Sequence, residues 1–145
     1  MNACLVGSEM CIRDRVGMGA NQQQTVKAIV EAESYNGPSL VIGYAPCEMH
    51  SIKGGMTNSQ KEIKKAVDAG YWHLFRYDPR LAAEGKNGFV LDSKAPTGSY
   101  QDFIGGEARY TALTRSFPER AKVLFQLAED NAKAKYDRLV KKAQD

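Results

Sequence analysis

Residues 40–56 read Leu-Val-Ile-Gly-Tyr-Ala-Pro-Cys-Glu-Met-His-Ser-Ile-Lys-Gly-Gly-Met. The run from Leu40 to Tyr44 is short, apolar and bounded by turn residues, the pattern of a strand buried on both faces in a parallel sheet. Pro46 ends it, because proline has no N–H for the ladder and fixes its own φ. Cys47 then falls just past the carboxyl end of a central strand. Open α/β sheets take their ligands in the crevice outside that edge. Lys53-Gly54-Gly55 follows as a flexible basic turn that lets backbone come close to a ligand.

Upstream, Val16–Met18 reads as the end of a truncated strand, and Asn21 with Gln24 as a capping pair. Val26, Ile29 and Val30 fall at i, i+3, i+4, which predicts a helix from Asn21 to Ser34. Asn36-Gly37-Pro38-Ser39 is a turn into the strand at Leu40. Downstream, Ser59 with Glu62 reads as a capping box, Ile63, Ala66 and Val67 as an inner face, and Gly70 as the C′ residue. The aromatic run Tyr71–Tyr77, stopped by Asp78-Pro79, predicts a third strand. Alternating strands and helices imply right-handed crossovers and an α/β fold with a partial parallel sheet of about three strands.

Residues Arg80–Gly98 are mostly loop, with Phe89–Leu91 a possible short strand. Ser99 can cap a helix to Arg115, weakened by Gly105-Gly106 at roughly 1 kcal/mol each against alanine. Pro118 suits the first turn of a final helix. Ala121, Leu124, Phe125, Ala128 and Ala132 form its stripe, and Tyr136, Leu139 and Val140 interrupt a polar remainder.

A chain of 145 residues suits one compact domain with a core. The net charge of +3 is too small to point to nucleic acid. No apolar run approaches the ~20 residues of a membrane helix, so neither nucleic acid nor membrane is an expected partner. Three cysteines, an odd count, argue against a secreted disulfide framework and for a reducing cytoplasm. Met1–Arg15 resembles a translated sequencing-adapter read, lacks the build of a signal peptide, and is set aside as a non-native tail. That leaves Cys47 as the one thiol of interest.

On residue type alone Cys47 has three uses: iron or zinc ligand, nucleophile, or small packed hydrophobe, of which packing is the commonest. An iron–sulfur cluster commonly takes four cysteines, so the other ligands would come from other sequence. Cys47 and His50 make a C-x-x-H pair. Nothing completes a zinc set with His73, and residues three apart on a loop seldom face each other. His73 reads as a strand residue satisfied by a neighbour. The Lys53 turn either cradles an anion or needs glycine only for its φ angles. Arg76, Asp78 and Arg80 read as a structural ion pair at a strand end.

Several stretches together resemble the pyruvate:ferredoxin (flavodoxin) oxidoreductase family. They are Gly-Pro-Ser-Leu-Val-Ile-Gly-Tyr-Ala-Pro-Cys (37–47), Lys-Gly-Gly-Met (53–56) with Ser59-Gln60, and Gly-Tyr-Trp-x-Leu-Phe-Arg-Tyr-Asp-Pro-Arg-Leu (70–81). Glu-Gly-Lys-Asn (84–87) and Leu-Asp-Ser-Lys-Ala-Pro (91–96) complete the set. The family commonly has Cys-Ile-Asn-His-Gly where this chain has Cys-Glu-Met-His-Ser (47–51), and Asn-Pro-Phe where it has Asn-Gly-Phe (87–89). The resemblance implies that residues 16–98 are the C-terminal part of a thiamine-diphosphate-binding α/β domain and 99–145 a C-terminal helical segment.

It further implies that Cys47 is one ligand of the [4Fe–4S] cluster nearest the thiamine diphosphate. The remaining ligands, the cofactor's Mg²⁺ site and the pyruvate and coenzyme A sites would then lie outside this chain. The implied reaction is oxidative decarboxylation of pyruvate with coenzyme A to acetyl-CoA and CO₂, with electrons leaving to ferredoxin or flavodoxin. The implied assembly is a homodimer of much longer chains, and 145 residues alone would be inactive. The competing expectation is a non-redox α/β module in which Cys47 is merely packed and the Lys53 loop binds a ligand or partner.

Overall fold

The computed structural model describes residues 10–144. Most of the segment set aside, Cys4 included, lies outside the described residues. The chain runs β1 (Ile12–Val16), α1 (Gln22–Ser34), β2 (Ser39–Gly43), a 3₁₀ turn (Met56–Asn58), α2 (Ser59–Asp68), β3 (Phe75–Tyr77), α3 (Pro79–Ala83) and β4 (Phe89–Leu91). Three helices follow: α4 (Tyr100–Ile104), α5 (Ala108–Ser116) and α6 (Pro118–Gln144). The α/β class holds, but the sheet is four-stranded and mixed, in the order β2-β1-β3-β4. β1 and β2 pair in parallel, Ile12 opposite Ser39 through Val16 opposite Gly43. β3 runs antiparallel to both β1 and β4.

Three strand expectations need correction. The sheet's first strand begins at Ile12 rather than Val16: Ile12, Asp14 and Val16 are buried, so residues excluded from the fold reading supply an inner strand. β2 is not buried on both faces. It lies at the sheet's edge, with Leu40 and Ile42 still exposed, because among the described residues only β1 pairs with it. The aromatic run gives a strand only at Phe75–Tyr77, antiparallel rather than parallel. The reason is where α2 ends. Tyr71 and Trp72 both donate their amides to the Ala66 carbonyl, and Trp72 Nε1 donates to the Val16 carbonyl at 2.9 Å. Trp72 therefore sits at the edge where β1 finishes, and the chain can only run back down the sheet.

Asn21 caps α1 as its sequence predicts, its side chain accepting from the Gln24 amide at 2.9 Å. The face that α1 buries is not its apolar stripe. Gln24, Thr25 and Ala28 are buried, whereas Val26, Ile29 and Val30 are more than half exposed. Polar bonds fix that rotation. Gln24 Nε2 donates to the Arg15 carbonyl and to Asp92, and Arg76 from β3 grips Glu31 and Asp92 at 2.9 Å each. These bonds tie the Gln24–Glu31 face of α1 to residues of β1, β3 and the segment after β4, so that face, not the aliphatic one, turns to the sheet. Ser59 is the first residue of α2 and makes no cap; the preceding 3₁₀ turn takes over the entry. Gly70 ends α2 with φ +73°.

The core gathers Ala66, Ala69, Tyr100, Phe103 and Ile104, with Tyr44, Tyr71, Trp72, Tyr110 and Phe125 packed against it. Ser99 caps α4 through the Asp102 amide, and Gly105-Gly106 break the expected long helix in two. On α6, Ala121 is buried, Phe125, Ala128 and Ala132 cover the core, and Tyr136 continues the stripe against His73 at 5.6 Å. Leu124 lies outside the stripe, 41% exposed.

His73 is buried in the loop before β3, not in a strand, and its Nε2 has no partner. Burial, with the positive charges of Arg15 and Lys135 nearby, pushes its pKa down to about 4. An unfolded histidine titrates near 6.5. As the pH falls below that value the unfolded chain takes up a proton that the folded chain refuses, so stability present above pH 6.5 is lost on the way to pH 4. Asp14 acts in the opposite sense. Burial raises its carboxyl to about 6, so its contribution is present at low pH and lost as the pH rises through 6. Comparison with His73→Phe separates the two. Urea denaturation at pH 7 and pH 4 should show wild type losing on the order of 2–3 kcal/mol more than the variant; parallel losses would contradict the placement of His73.

Candidate functional site

The parallel β1–β2 pair fixes one edge at which Val16 and Gly43 both finish. Four residues past β2, Cys47 lies on the loop leaving that edge, partly exposed, while Pro46 beneath it is buried. The sulfur is thus accessible and not packed among methyl groups. The loop then curls into a single turn, the Ser51 amide donating to the carbonyls of Cys47 at 2.9 Å and Glu48 at 3.2 Å.

That turn overturns one expectation. It brings positions 47 and 50 to the same side, and Cys47 Sγ lies 3.0 Å from His50 Nδ1. Donation from the ring to the sulfur favours the thiolate, and the His50 side chain and backbone together hold the Cys47 thiol below its ordinary range. Ser51 closes the turn at φ +61°, in the left-handed region that a side chain disfavours. The glycine common in the resembling family would carry no such penalty.

Lys53-Gly54-Gly55 follows the glycine-geometry reading rather than the anion cradle. Gly54 and Gly55 stand at φ +87° and +83°. The Lys53 amide donates to the Gly106 carbonyl and the Gly55 amide to Ile52, so those donors are spent inside the protein. Arg80 pairs with Asp78 as a strand-end ion pair, but Arg76 belongs to the Glu31–Asp92 set instead.

A cluster of polar side chains not singled out in the sequence lies behind the Cys47 loop. Glu107, 1% exposed, accepts from the Tyr44 hydroxyl at Oε1 and from Arg109 Nε at Oε2, 2.6 Å away. Arg109 also donates to the Tyr71 hydroxyl at 3.1 Å, and Tyr71 shares a hydrogen bond of 2.7 Å with Tyr110. Burial, then the bond to Glu107, pushes the Tyr44 hydroxyl far up, so it stays protonated and donates. No local pattern marks Glu107, which follows two glycines on an irregular stretch; only the fold brings Tyr44 to it.

An iron–sulfur ligand must be a thiolate that a metal can reach; Cys47 is partly exposed and its thiol is held below the ordinary range, which suits both demands. No group of three or more His, Cys, Asp or Glu gathers among the described residues, and the other described cysteine, Cys11, is buried. The residues fit one ligand of a cluster and not a whole one.

The fold defines the class as an α/β fragment with a mixed sheet, and Cys47 stands on the loop leaving the end of its parallel strand pair. No family model matches the chain. Over 129 residues it is 57% identical to a pyruvate:ferredoxin oxidoreductase of Moorella thermoacetica, covering 89% of this chain and 11% of the relative. It is 52% identical over 122 residues to a pyruvate-flavodoxin oxidoreductase of Klebsiella pneumoniae, covering 84% and 10%. It is 48% identical over 118 residues to a mitochondrial pyruvate dehydrogenase [NADP(+)] of Euglena gracilis, covering 81% and 6%. The chain belongs to the pyruvate:ferredoxin (flavodoxin) oxidoreductase family. It spans about a tenth of the length of the curated relatives it matches.

Replacing Ser51 by glycine should relieve the left-handed strain and stabilise the chain by about 1 kcal/mol. Urea midpoints compare the two; a destabilised Ser51→Gly would show that the serine is unstrained at this φ.

Proposed function

We propose that this chain is a segment of an enzyme that converts pyruvate and coenzyme A to acetyl-CoA, CO₂, one proton and two electrons, and that the electrons leave to ferredoxin or flavodoxin. The observation that carries this reading is the 57% identity over 129 residues to a relative named for that activity. The location of Cys47 supports it further, because a partly exposed thiol with a lowered pKa, outside the carboxyl ends of parallel strands, suits a ligand-binding role.

In this reading Cys47 is one ligand of a [4Fe–4S] cluster, and thiamine diphosphate and Mg²⁺ are held by residues beyond this chain. A bound cluster would supply a one-electron relay. The protein's own contribution is local. Cys47 would supply negative charge and a soft donor; His50 Nδ1 lies 3.0 Å from that sulfur, and in the tautomer that carries its proton on Nδ1 it donates to the sulfur, a bond of the kind that sets the potential of sulfur-ligated iron. The open edge of β2 and the outward stripe of Val26, Ile29 and Val30 suit a segment packed within a larger protein, here a homodimer of long chains in the cytoplasm. Residues 1–15 remain in this reading a non-native extension, of which residues 12–15 nonetheless pair into the sheet as most of β1. Residues 16–98 end the thiamine-diphosphate-binding domain, and 99–145 form its helical close. No helix among the described residues is long and apolar enough to cross a membrane.

The competing reading, a non-redox module with a structural Cys47, is not favoured. The relatives are named as redox enzymes, and the sulfur is not enclosed.

Anaerobic reconstitution of the full-length enzyme carrying this segment tests the assignment. Cys47→Ser should abolish or strongly alter the EPR signal of one cluster and leave the other clusters' signals in place. A spectrum identical to wild type would contradict it.

A further inference from the structure

The loop from Tyr44 to Ile52 is closed on itself by one residue. At its start, the Tyr44 hydroxyl donates to the Glu107 carboxylate. At its end, Ile52 forms a β-bridge with the backbone of the same Glu107. The neighbours reinforce the second joint: the Lys53 amide donates to the Gly106 carbonyl at 2.8 Å, and the Ala108 amide donates to the Ser51 carbonyl at 3.4 Å. Cys47 and His50 lie between the two joints. The bonds of Ser51 to Cys47 and Glu48 are internal to the loop and do not fix where the loop stands on the protein.

We propose that Glu107 is a positioning residue for Cys47: its side chain and backbone clasp both ends of the loop and so set where the sulfur stands at the sheet edge. The inference rests on the reading of Cys47 as an iron ligand but adds a residue 60 positions away that touches neither sulfur nor metal. The chemistry requires a carboxylate. Tyr44 and Arg109 are both donors, and each takes one of the two oxygens. A glutamine has a single acceptor oxygen and would leave one of those donors facing its amide N–H₂. Glu107 is 1% exposed, so water cannot take over the lost bond. α5, which begins at Ala108, carries the partner arginine one residue further on, so the clasp is stiffened by the helix start.

The test uses Tyr44→Phe and Glu107→Gln in the full-length enzyme, beside Cys47→Ser. Tyr44→Phe keeps the ring that packs on Tyr71 and Trp72 and removes only the donor, so it remains informative if Glu107→Gln folds poorly. Hydrogen exchange of the apo enzyme, followed on the peptide covering residues 48–55, should accelerate about tenfold or more in Tyr44→Phe, while peptides from α1 stay at wild-type rates. In the reconstituted enzyme, iron and labile sulfide should stay near wild type, and one cluster's EPR signal should shift or broaden. That signal should be the one Cys47→Ser removes. The double variant should move both readouts no further than Glu107→Gln alone.

Unchanged exchange over 48–55 overturns the clasp. Accelerated exchange with a wild-type EPR spectrum overturns its role in placing Cys47. Should Cys47→Ser leave every cluster signal intact, the iron assignment itself fails. The alkylation rate of Cys47 in apo Tyr44→Phe then decides the clasp: a changed rate supports it and a wild-type rate overturns it.

Discussion

A carboxylate cannot be left alone inside a protein, and the arrangement around Glu107 follows from that constraint. With 1% of its surface exposed, it takes a donor on each oxygen, one from Tyr44 just past the end of β2 and one from Arg109 in the first turn of α5. Leaving such a charge unpartnered costs about 3–5 kcal/mol, comparable to a large part of a small domain's stability. The side chains of Tyr44 and Arg109 are thereby committed, and with them the exit of β2 and the entry of α5. The Tyr71 and Tyr110 hydroxyls extend the network into the aromatic core, where Tyr71 and Phe103 lie 4.8 Å apart. One buried charge therefore links the sheet edge, the loop beyond it and the helical layer.

The edge itself comes from backbone geometry. Parallel pairing of β1 with β2 makes both strands finish together, and Trp72 is tied to the end of β1 by its indole N–H. Three chain segments thus meet on one side of the sheet. Cys47 leaves that side on a loop with no room for a strand, since Pro46 has ended the ladder. The turn that closes with Ser51 then brings His50 against the sulfur. What results is a partly exposed thiol that the contact with His50 holds below its ordinary pKa range. Among the described residues no group of three or more His, Cys, Asp or Glu gathers there; His50 is the one such neighbour of the sulfur.

Much of this was legible in residue order. The cap at Asn21, the stop at Gly70, the strand after Pro38 and the proline that begins α6 each rest on a local preference, and each appears where its residues place it. Directions and faces were not legible in the same way. Periodicity put Val26, Ile29 and Val30 on one face of α1 and correctly predicted the helix, but Gln24, Glu31, Arg76 and Asp92 turned that face outward through bonds between distant segments. The aromatic run after Gly70 matched a parallel strand, but the indole bond of Trp72 reversed it. Cys47 could be picked out because proline after an apolar run marks a strand's end. Its bond to His50 could not, since loop curvature is set by the left-handed Ser51 and not by spacing. Glu107 was invisible for a related reason: burial of a charge is a property of partners brought from 63 residues away in the chain.

The account centres on the sulfur of Cys47 being bonded to iron in the assembled enzyme. The most direct measurement replaces that sulfur atom with selenium in the full-length, reconstituted enzyme and records X-ray absorption at the selenium edge. An iron scatterer in the first shell of selenium, beside the expected carbon, is the predicted result. A first shell containing carbon alone would contradict the account.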